Sequence, residues 1–316
     1  MNWQSSASVD VLVRRAEIIR SIRQWFHQHK VLEVETPQLS LGATTDPHIE
    51  SFSVGERHLR TSAEFHLKRM LSCGYPDIYE LGKVFRVDES GCYHNPEFTM
   101  LEWYRKGIDH HQLITEVESL LQVLTDDLDM HIQRISYREL WRQVCDLDIA
   151  ICECNAITDY LTKSGVSVPE SITENFDALQ DLAMGTVVAD ALPKNLFTCI
   201  YDYPASQASL ARVVCEDPDW PVASRFEIYH GSVELANGYH ELKDPVEQLS
   251  RLSQDNKTRV DNQQSAMPVD MNFIAALEHG LPDCAGVAIG IDRLMMILIE
   301  DITSLDQVIG FKWAHA

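Results

Sequence analysis

The sequence predicts an α+β fold in which helices pack on a mainly antiparallel sheet. Two strand-like runs at residues 78–88 and 98–104 flank a loop rich in turn-forming residues, and together they predict a hairpin with a long tip. Strands resume near 196–203 and 226–229, after a mostly helical stretch at about 109–192. A doubly wound fold would show strands alternating regularly with helices, and this chain does not.

The elements on either side of these strands follow from periodicity and capping. Apolar residues at helical spacing predict a first helix at about 9–29, and alternation predicts a strand at 32–36 that Pro37 ends. A short helix is expected at about 63–73. Near the C-terminus a Gly-Val-Ala-Ile-Gly strand leads into an apolar helix at 291–300. A further helix should begin at Asp244-Pro245-Val246-Glu247, where Asp is the N-cap, Pro is at N1 and Glu is at N3.

Composition limits the class of protein. The 316 residues, 45% of them hydrophobic, suffice for one large domain or two small ones; we expect a single domain over 1–316 with the helical insertion at about 109–192. The net charge of −22 counts against tight nucleic-acid binding, so no tRNA partner is expected. The chain lacks an apolar run of about 18 residues and a signal-peptide core, which predicts a cytoplasmic protein without membrane attachment.

Common metal and nucleotide motifs are absent from the sequence. None of the eight cysteines forms a C-x-x-C pair, so we expect reduced thiols rather than a zinc site. The chain also has no H-E-x-x-H, no G-x-x-x-x-G-K-[ST] and no G-x-G-x-x-G motif. Any chemistry must therefore come from other residues.

The predicted hairpin carries polar side chains on one face. Because strand side chains alternate, Arg86 and Asp88 share a face, as do Glu102 and Tyr104. The loop between the strands adds His94, Asn95 and Pro96. A polar face usually meets only solvent, so the hairpin alone leaves open whether these residues form a site.

A second polar cluster lies in the C-terminal half. Glu227, Glu234, Asn237 and Glu241 occur within fifteen residues among apolar neighbours. Carboxylate oxygens suit Mg²⁺, and further acids suit an amine pocket. A hairpin with an Asn-Gly turn and exposed acids explains the same spacing. The spacing leaves both interpretations open.

A third polar feature opens the last helix. The small Gly290 permits close approach of a ligand to the backbone, and Arg293, just inside the helix, can bind a phosphate through two parallel hydrogen bonds. An Asp-Arg pair at a helix start is common. By itself this feature indicates a phosphate site only weakly.

Taken together, the three features resemble the signature motifs of class II aminoacyl-tRNA synthetases. The first helix with LEVETP resembles motif 1, VFRVDES…HNPEFTMLEWY resembles motif 2, and GVAIGIDRLMMIL resembles motif 3. The segments TSAEFHLKRML and ELANGYHEL are similar to those of the lysine enzymes. The resemblance covers nearly the whole chain and implies a class II synthetase-like antiparallel sheet flanked by helices, and a homodimer with Pro37 at its interface.

The chain resembles one branch of that family in particular. Motif 1 begins near Met1, so the anticodon-binding barrel of lysyl-tRNA synthetases is not expected. Ala288 stands where those enzymes have the middle glycine of motif 3. Both features are similar to the EpmA family (also called PoxA or GenX), which attaches (R)-β-lysine to a lysine of translation elongation factor P. A methyl group at Ala288 would reshape the space near the amino acid's α-carbon.

The resemblance implies roles for individual residues. Arg86 would contact the α-phosphate and the substrate carboxylate, Arg293 would bind the γ-phosphate, and Glu227 and Glu234 would hold Mg²⁺. The remaining ATP contacts would come from Asp88, Asn95, Glu234, Leu235 and Gly290. The pocket for lysine or β-lysine would comprise Ser62, Glu64, Glu102, Tyr104, Asn237, Glu241 and Ala288.

Three positions depart from the family pattern, and two other functions compete. Asp88 replaces the usual Glu of motif 2, Cys92 stands where a basic residue is frequent, and Ala63 replaces a Pro.

One competing function is a truncated lysyl-tRNA synthetase that charges tRNA. The other is a non-catalytic, amino-acid-binding regulator, although such a protein should have lost Arg86 and Arg293.

Overall fold

The computed structural model describes residues 3–87, 89–215 and 217–316, which form two compact units. Unit 1 comprises Met1–Asp129 and Glu241–Ala316, and unit 2 comprises Met130–His240. The expectation of one domain with an insertion stays a prediction. Asp88, one of the predicted ATP-binding residues, lies outside the described residues.

The helices follow the predicted order. The longest, α1, has 20 residues, and within the described part of the chain no helix is both long and apolar enough to cross a membrane. The helices are α1 Val9–Gln28, α2 Glu64–Ser72, α3 His110–Thr125, α4 Tyr137–Cys145, α5 Cys154–Lys163, α6 Phe176–Ala183, α7 Pro245–Asp261, α8 Met271–Gly280 and α9 Ile291–Leu298.

The strands include the predicted hairpin and the two later runs. They are β1 Leu32–Glu33, β2 Leu39–Ser40, β3 Ser53–Val54, β4 Arg57–Leu59, β5 Ile78–Phe85, β6 Glu97–Lys106, β7 Gln133–Ser136, β8 Phe197–Pro204, β9 Val213–Val214, β10 Val222–His230, β11 Val233–His240 and β12 Cys284–Gly290. Most of the strand pairs are antiparallel, which confirms the predicted α+β class.

Unit 1 is organised around the β5–β6 hairpin. Its main strands lie in the order β1-β5-β6-β12; β1 pairs with β5 in parallel and the other neighbours are antiparallel. The helix α1 covers this sheet with its apolar stripe, since the Phe26 ring stacks on Tyr79 at 4.1 Å between centroids and meets Trp103 edge-on at 5.4 Å. Burial of such aromatic side chains fixes the helix on the sheet.

Unit 2 has its own sheet and core. Its strands lie in the order β11-β10-β8-β7, with β9 beside β10, and only β7–β8 is parallel. The helices α4, α5 and α6 bury Trp141, Ile157 and Leu179 in one apolar cluster with Ile200 of β8. The stretch at 109–192 is mostly helical, as predicted.

Three local predictions differ from the structure. The strand expected at 32–36 is only Leu32–Glu33, and the first hairpin strand ends at Phe85 rather than at 88. The Asn-Gly pair is not a turn: Asn237 and Gly238 lie within β11, opposite Glu227 and Phe226, and the β10–β11 connection is Gly231-Ser232. Gly231 has a φ of 57°, the left-handed conformation that a tight hairpin needs. The N-cap at Asp244 is confirmed, because its carboxylate accepts from the amides of Val246 and Glu247.

Candidate functional site

One face of the unit 1 sheet combines acidic, aromatic and very small side chains. On β6, Glu102 and Tyr104 point to the same side, as the alternation predicts. Ala288 lies opposite Glu102 on β12, and Gly286 lies opposite Tyr104. The small residues of β12 let the side chains of neighbouring strands and segments pack closely over this face.

The helix α2 brings a second acid to this face. The amide of Ala63, at the start of the helix, donates to Glu102 Oε1 at 3.1 Å, and the Ser62 hydroxyl accepts from the Glu64 amide at 3.0 Å. These bonds fix the first turn of α2 against β6. Three of the predicted amino-acid-pocket residues, Ser62, Glu64 and Glu102, are thereby held together.

Lys68, which sequence reasoning missed, joins two predicted acids. Its Nζ lies 2.5 Å from Glu64 Oε1 and 2.5 Å from Glu241 Oε2, and the side chains of Lys68 and Glu241 are fully buried. Burial by itself would lower the pKa of Lys68, but the carboxylates of Glu241 and Glu64 outweigh it and raise that pKa above its ordinary value. A Glu-Lys pair four residues apart normally marks an exposed helix face, so the sequence signal pointed the wrong way.

Glu102 is a buried acid whose carboxylate has little hydrogen-bond compensation. The Ser62 hydroxyl interacts with the carboxylate and favours its ionised form, but the buried Oε2 has no donor in good hydrogen-bond geometry among the described residues. Burial, reinforced by the nearby Glu64 carboxylate, raises the pKa of Glu102 to about 7. A cationic group at Oε2 would favour the ionised form and would remove the cost of leaving this oxygen unpaired.

Replacing Glu102 with glutamine should stabilise the protein at alkaline pH but not at acidic pH. Since its pKa is raised in the folded state, Glu102 costs stability as pH rises from about 4.5 through about 7, and the full shift corresponds to about 3 kcal/mol. Urea unfolding at pH 4.5 and pH 8 measures this. The control is Glu97→Gln on the same strand, whose side chain is 41% exposed. An equal gain for Glu102→Gln at both pH values would contradict the assignment.

Tyr104 and Glu241 meet over Gly286. A Cβ atom at Gly286 would lie 2.2 Å from Tyr104 Cε1 and 2.8 Å from Glu241 Oε1, so only glycine fits there. Burial raises the pKa of Tyr104 well above its ordinary value, and the charges of Glu64, Glu241 and Glu102 raise it further. The phenol therefore stays protonated and lies within electrostatic reach of all three acids.

Arg86 directly follows β5 at the start of the hairpin loop. Its guanidinium pairs with Glu89 at 3.2 Å, donates weakly to the Thr61 carbonyl at 3.4 Å and lies 5.1 Å from the centroid of the Phe98 ring. Contacts on several sides orient the planar group, while the side chain keeps 23% of its surface exposed. Arg86 can thus reach an anion without first being ordered.

The charges of Arg293 and Arg86 both influence the imidazole of His94. Arg293 Nε donates to the Tyr93 carbonyl at 3.1 Å, and its NH2 lies 2.6 Å from His94 Nε2. Burial lowers the pKa of His94, and the charges of Arg293 and Arg86 lower it further. The two predicted phosphate-binding arginines therefore lie within electrostatic reach of the same side chain, although 207 positions separate them.

Asp292 fixes the start of α9, where Arg293 lies. Its carboxylate accepts from the Thr99 amide of β6 at 2.9 Å and pairs with Arg15 of α1 at 2.6 Å, and it is 1% exposed. The two residues of the Asp-Arg pair therefore have different contacts: the aspartate anchors the helix, and the arginine contacts the hairpin loop. Gly290 is the N-cap of this helix.

Asn95 is engaged by backbone groups. Its Nδ2 donates to the Glu97 carbonyl at 2.6 Å, and its Oδ1 accepts from the Trp313 amide at 3.0 Å. The side chain is 6% exposed. Its observed contacts hold the hairpin loop on the C-terminal segment, so an ATP contact by Asn95 stays a prediction.

Glu227, a predicted Mg²⁺ ligand, lies in a polar network of unit 2. Its Oε2 accepts hydrogen bonds from the hydroxyls of Tyr203 and Tyr229, each at 2.6 Å, and Arg225 pairs with Oε1. The residue is 7% exposed. Glu227 is thus oriented by three donors, and a cation would use the lone pairs that these donors leave.

The other predicted residues of unit 2 lie on β11. Burial raises the pKa of Tyr229, and the charges of Glu227 and Glu234 raise it further, so both acids are within electrostatic reach of one phenol. Two carboxylates are the donor type that Mg²⁺ prefers, and in this respect the residues fit the ion. Asn237 lies opposite Glu227, and its buried Oδ1 has no donor within the part of the chain that the structure describes. Leu235 is buried.

Comparison with known proteins identifies the class. A family model described as tRNA synthetases class II (D, K and N) matches residues 1–313, so the chain belongs to this family. The predicted resemblance is confirmed. The chain carries the class II catalytic domain, with its mostly antiparallel strands and flanking helices.

The more similar relatives share one name. The elongation factor P--(R)-beta-lysine ligase of Vibrio vulnificus (strain YJ016) is 43% identical over 328 aligned positions, which cover 100% of this chain and 99% of the relative. The protein of that name from Vibrio cholerae serotype O1 is 42% identical over 100% and 99% of the two chains. That from Yersinia enterocolitica serotype O:8 is 42% identical over 100% and 98%.

Proposed function

We propose that this chain activates (R)-β-lysine or lysine with ATP and transfers the resulting aminoacyl group to a lysine side chain of translation elongation factor P. The name shared by the relatives supports this activity. The observation that carries the proposal is the cluster of acids around Tyr104 in unit 1. Glu64, Glu102 and Glu241 surround Tyr104 there, as a substrate with two ammonium groups requires.

The chemistry needs no protein nucleophile. The substrate carboxylate attacks the α-phosphorus of ATP, which forms an aminoacyl-adenylate and releases pyrophosphate. The ε-amine of the acceptor lysine then attacks the adenylate carbonyl, loses a proton and displaces AMP. Catalysis rests on positioning and charge stabilisation. Arg86 would bind the α-phosphate and Arg293 the γ-phosphate, while Asp88, Asn95, Leu235 and Gly290 would make further contacts with ATP.

Mg²⁺ and the remaining substrate contacts follow the family pattern. Glu227 and Glu234 would hold Mg²⁺, which, when bound, neutralises phosphate charge. Asn237 would contact the amino acid, since its buried Oδ1 still needs a donor. A reaction on a translation factor places the protein in the cytoplasm.

We also infer a homodimer. Apolar side chains of unit 1 remain exposed on α1 and in the following segment: Val9 and Leu41 are 77% and 59% exposed, and Val13, Leu32 and Leu39 are also exposed. Pro37 lies within this stretch. A second copy of the chain would cover these side chains and remove their cost in water.

ATP–pyrophosphate exchange tests the proposed activity. Exchange should occur with (R)-β-lysine or lysine, and elongation factor P should gain the mass of one lysyl residue in a complete reaction. Exchange without that mass gain would support adenylate formation but contradict the assignment of elongation factor P as the acceptor. Charging of tRNA instead would favour the truncated synthetase, and no exchange with any diamino acid would favour the regulator.

Replacing Ala288 with glycine should shift the preference toward α-lysine by about tenfold, because one methyl group in a pocket is worth that much discrimination. The measurement is the ratio of kcat/KM for α- and β-lysine in the exchange reaction. Ala285→Gly on the same strand is the control. It lies opposite Arg105, on the other face, and should lower stability without changing the ratio. An unchanged ratio for Ala288→Gly would exclude Ala288 as a selectivity determinant.

A further inference from the structure

The pocket proposed for the diamino acid already contains an ammonium group. Lys68 Nζ lies between Glu64 and Glu241, 2.5 Å from an oxygen of each, and its side chain is fully buried. The ring of Phe273 lies on another side, with its centroid 5.8 Å from Nζ. Two carboxylates thus share one buried cation, although the Glu64 side chain keeps 15% of its surface exposed.

The charge of the pocket follows from its titratable groups. They come from α2, β6, β12 and the segment after β11: Lys68, Glu64, Glu102, Tyr104, Glu241 and Cys284. The charge of Arg60 also acts on Glu102, but Arg60 is itself paired with Glu80 at 2.7 Å. With Lys68 in place, Glu64 and Glu241 together carry one net negative charge. Glu102 can supply a second when it is ionised, and its buried Oε2 has no donor in good hydrogen-bond geometry among the described residues. Two negative charges match a substrate with two ammonium groups.

We propose that Lys68 sets this charge match: it cancels one of the two charges on Glu64 and Glu241, so that these acids and Glu102 together present two negative charges to a substrate with two ammonium groups. Lys68 is then a specificity-determining and positioning residue that acts through the acids. This role rests on the proposed function, since it presupposes a diamino-acid substrate.

Loss of Lys68 should change proton uptake as well as affinity. Glu241 is fully buried and the Glu64 side chain is only 15% exposed, so without a cation between them their charges repel at close range and one of the two should take up a proton. The wild-type protein should release about one proton, from Glu102, when it binds the diamino acid at pH 6. The Lys68→Met variant should release about two, and its affinity should rise with pH about tenfold more steeply per pH unit.

Isothermal titration at pH 6, in buffers of different ionisation enthalpy, measures the number of protons released. The ligand is (R)-β-lysine, or lysine if exchange shows that it is preferred. Lys68→Arg should restore the wild-type number because it keeps the cation. Lys83→Met is the control: this lysine pairs with Glu97 at 3.4 Å and is 39% exposed, and its loss should change nothing.

A double variant keeps the test valid if Lys68→Met folds poorly. Lys68→Met with Glu241→Gln removes both partners of one ion pair, which restores the net charge and should recover the melting temperature. Its proton number should return to that of the wild type. The double variant should also bind the diamino acid more tightly than Glu241→Gln alone, in which Lys68 cancels the charge of Glu64. A purely structural ion pair would recover stability in the same way but without that gain in affinity.

The outcomes separate the two proposals. If the unmodified protein shows no exchange with any diamino acid, the proposed function fails, and the role of Lys68 fails with it. If exchange occurs but Lys68→Met releases the wild-type number of protons, or Lys68→Arg fails to restore that number, only the role of Lys68 is overturned. About one extra proton in Lys68→Met, reversed in Lys68→Arg, would support it.

Discussion

Replacing Arg86 with lysine should lower kcat for adenylate formation by about 10²- to 10³-fold, the usual effect of losing one oriented donor to a developing charge. A lysine keeps the positive charge but loses the planar, two-pronged geometry that matches a phosphate. In the structure the guanidinium is pre-oriented by Glu89 and the Phe98 ring. A flexible ammonium would have to be ordered during each reaction cycle.

Pyrophosphate exchange at saturating ATP and amino acid measures this loss, and the melting temperature shows whether the fold is intact. Arg14→Lys is the matched control, since Arg14 is 51% exposed on α1 and pairs with Glu17 on the same helix. A decrease of less than about threefold for Arg86→Lys would mean that Arg86 does not bind the reacting phosphate.

Replacing Gly286 with alanine should raise KM for the amino acid at least about tenfold and lower the free energy of unfolding by about 1–3 kcal/mol. The added methyl would overlap Tyr104 Cε1 and Cδ1, at 2.2 and 2.4 Å, and would lie 2.8 Å from Glu241 Oε1. Neither side chain has room to withdraw, because both are buried. The phenol and the acid that Lys68 orients would therefore move together.

The control for this substitution is Gly310→Ala in the same unit. A Cβ atom there meets nothing within 4 Å, and the backbone has no positive φ, so stability and KM should stay unchanged. Exchange kinetics across amino-acid concentrations and urea unfolding provide the two readouts. Wild-type values of both for Gly286→Ala would show that the strand tolerates a side chain and that Tyr104 does not depend on close packing there.

The effects expected for Glu102 and Lys68 show that acids which would bind the substrate lower the stability of the free protein. Glu102 is unfavourable in the folded protein once it ionises, because burial raises its pKa to about 7. A substrate ammonium would remove that cost on binding. Lys68 prevents a larger cost by neutralising part of the charge of Glu64 and Glu241. Acidic groups whose pKa values are shifted by burial and neighbouring charges are typical of binding sites.

Local patterns in the sequence determined much of the fold. Helical periodicity predicted α1, and the Asp-Pro-x-Glu signal predicted the start of α7, because these elements depend on near neighbours along the chain. Alternation placed Glu102 and Tyr104 on one face. The motifs predicted the family, and the resemblance led to the proposal that Arg86 and Arg293 both bind ATP.

Only the tertiary structure decided the electrostatics of the site. Whether Lys68 is an exposed helix residue or a buried cation depends on Glu241, 173 positions away, and no local pattern carries that information. Likewise Asn237-Gly238 reads as a turn from local propensity, yet pairing with β10 holds it in a strand. Burial and pairing are set by residues distant in sequence, and they fix which groups carry charge.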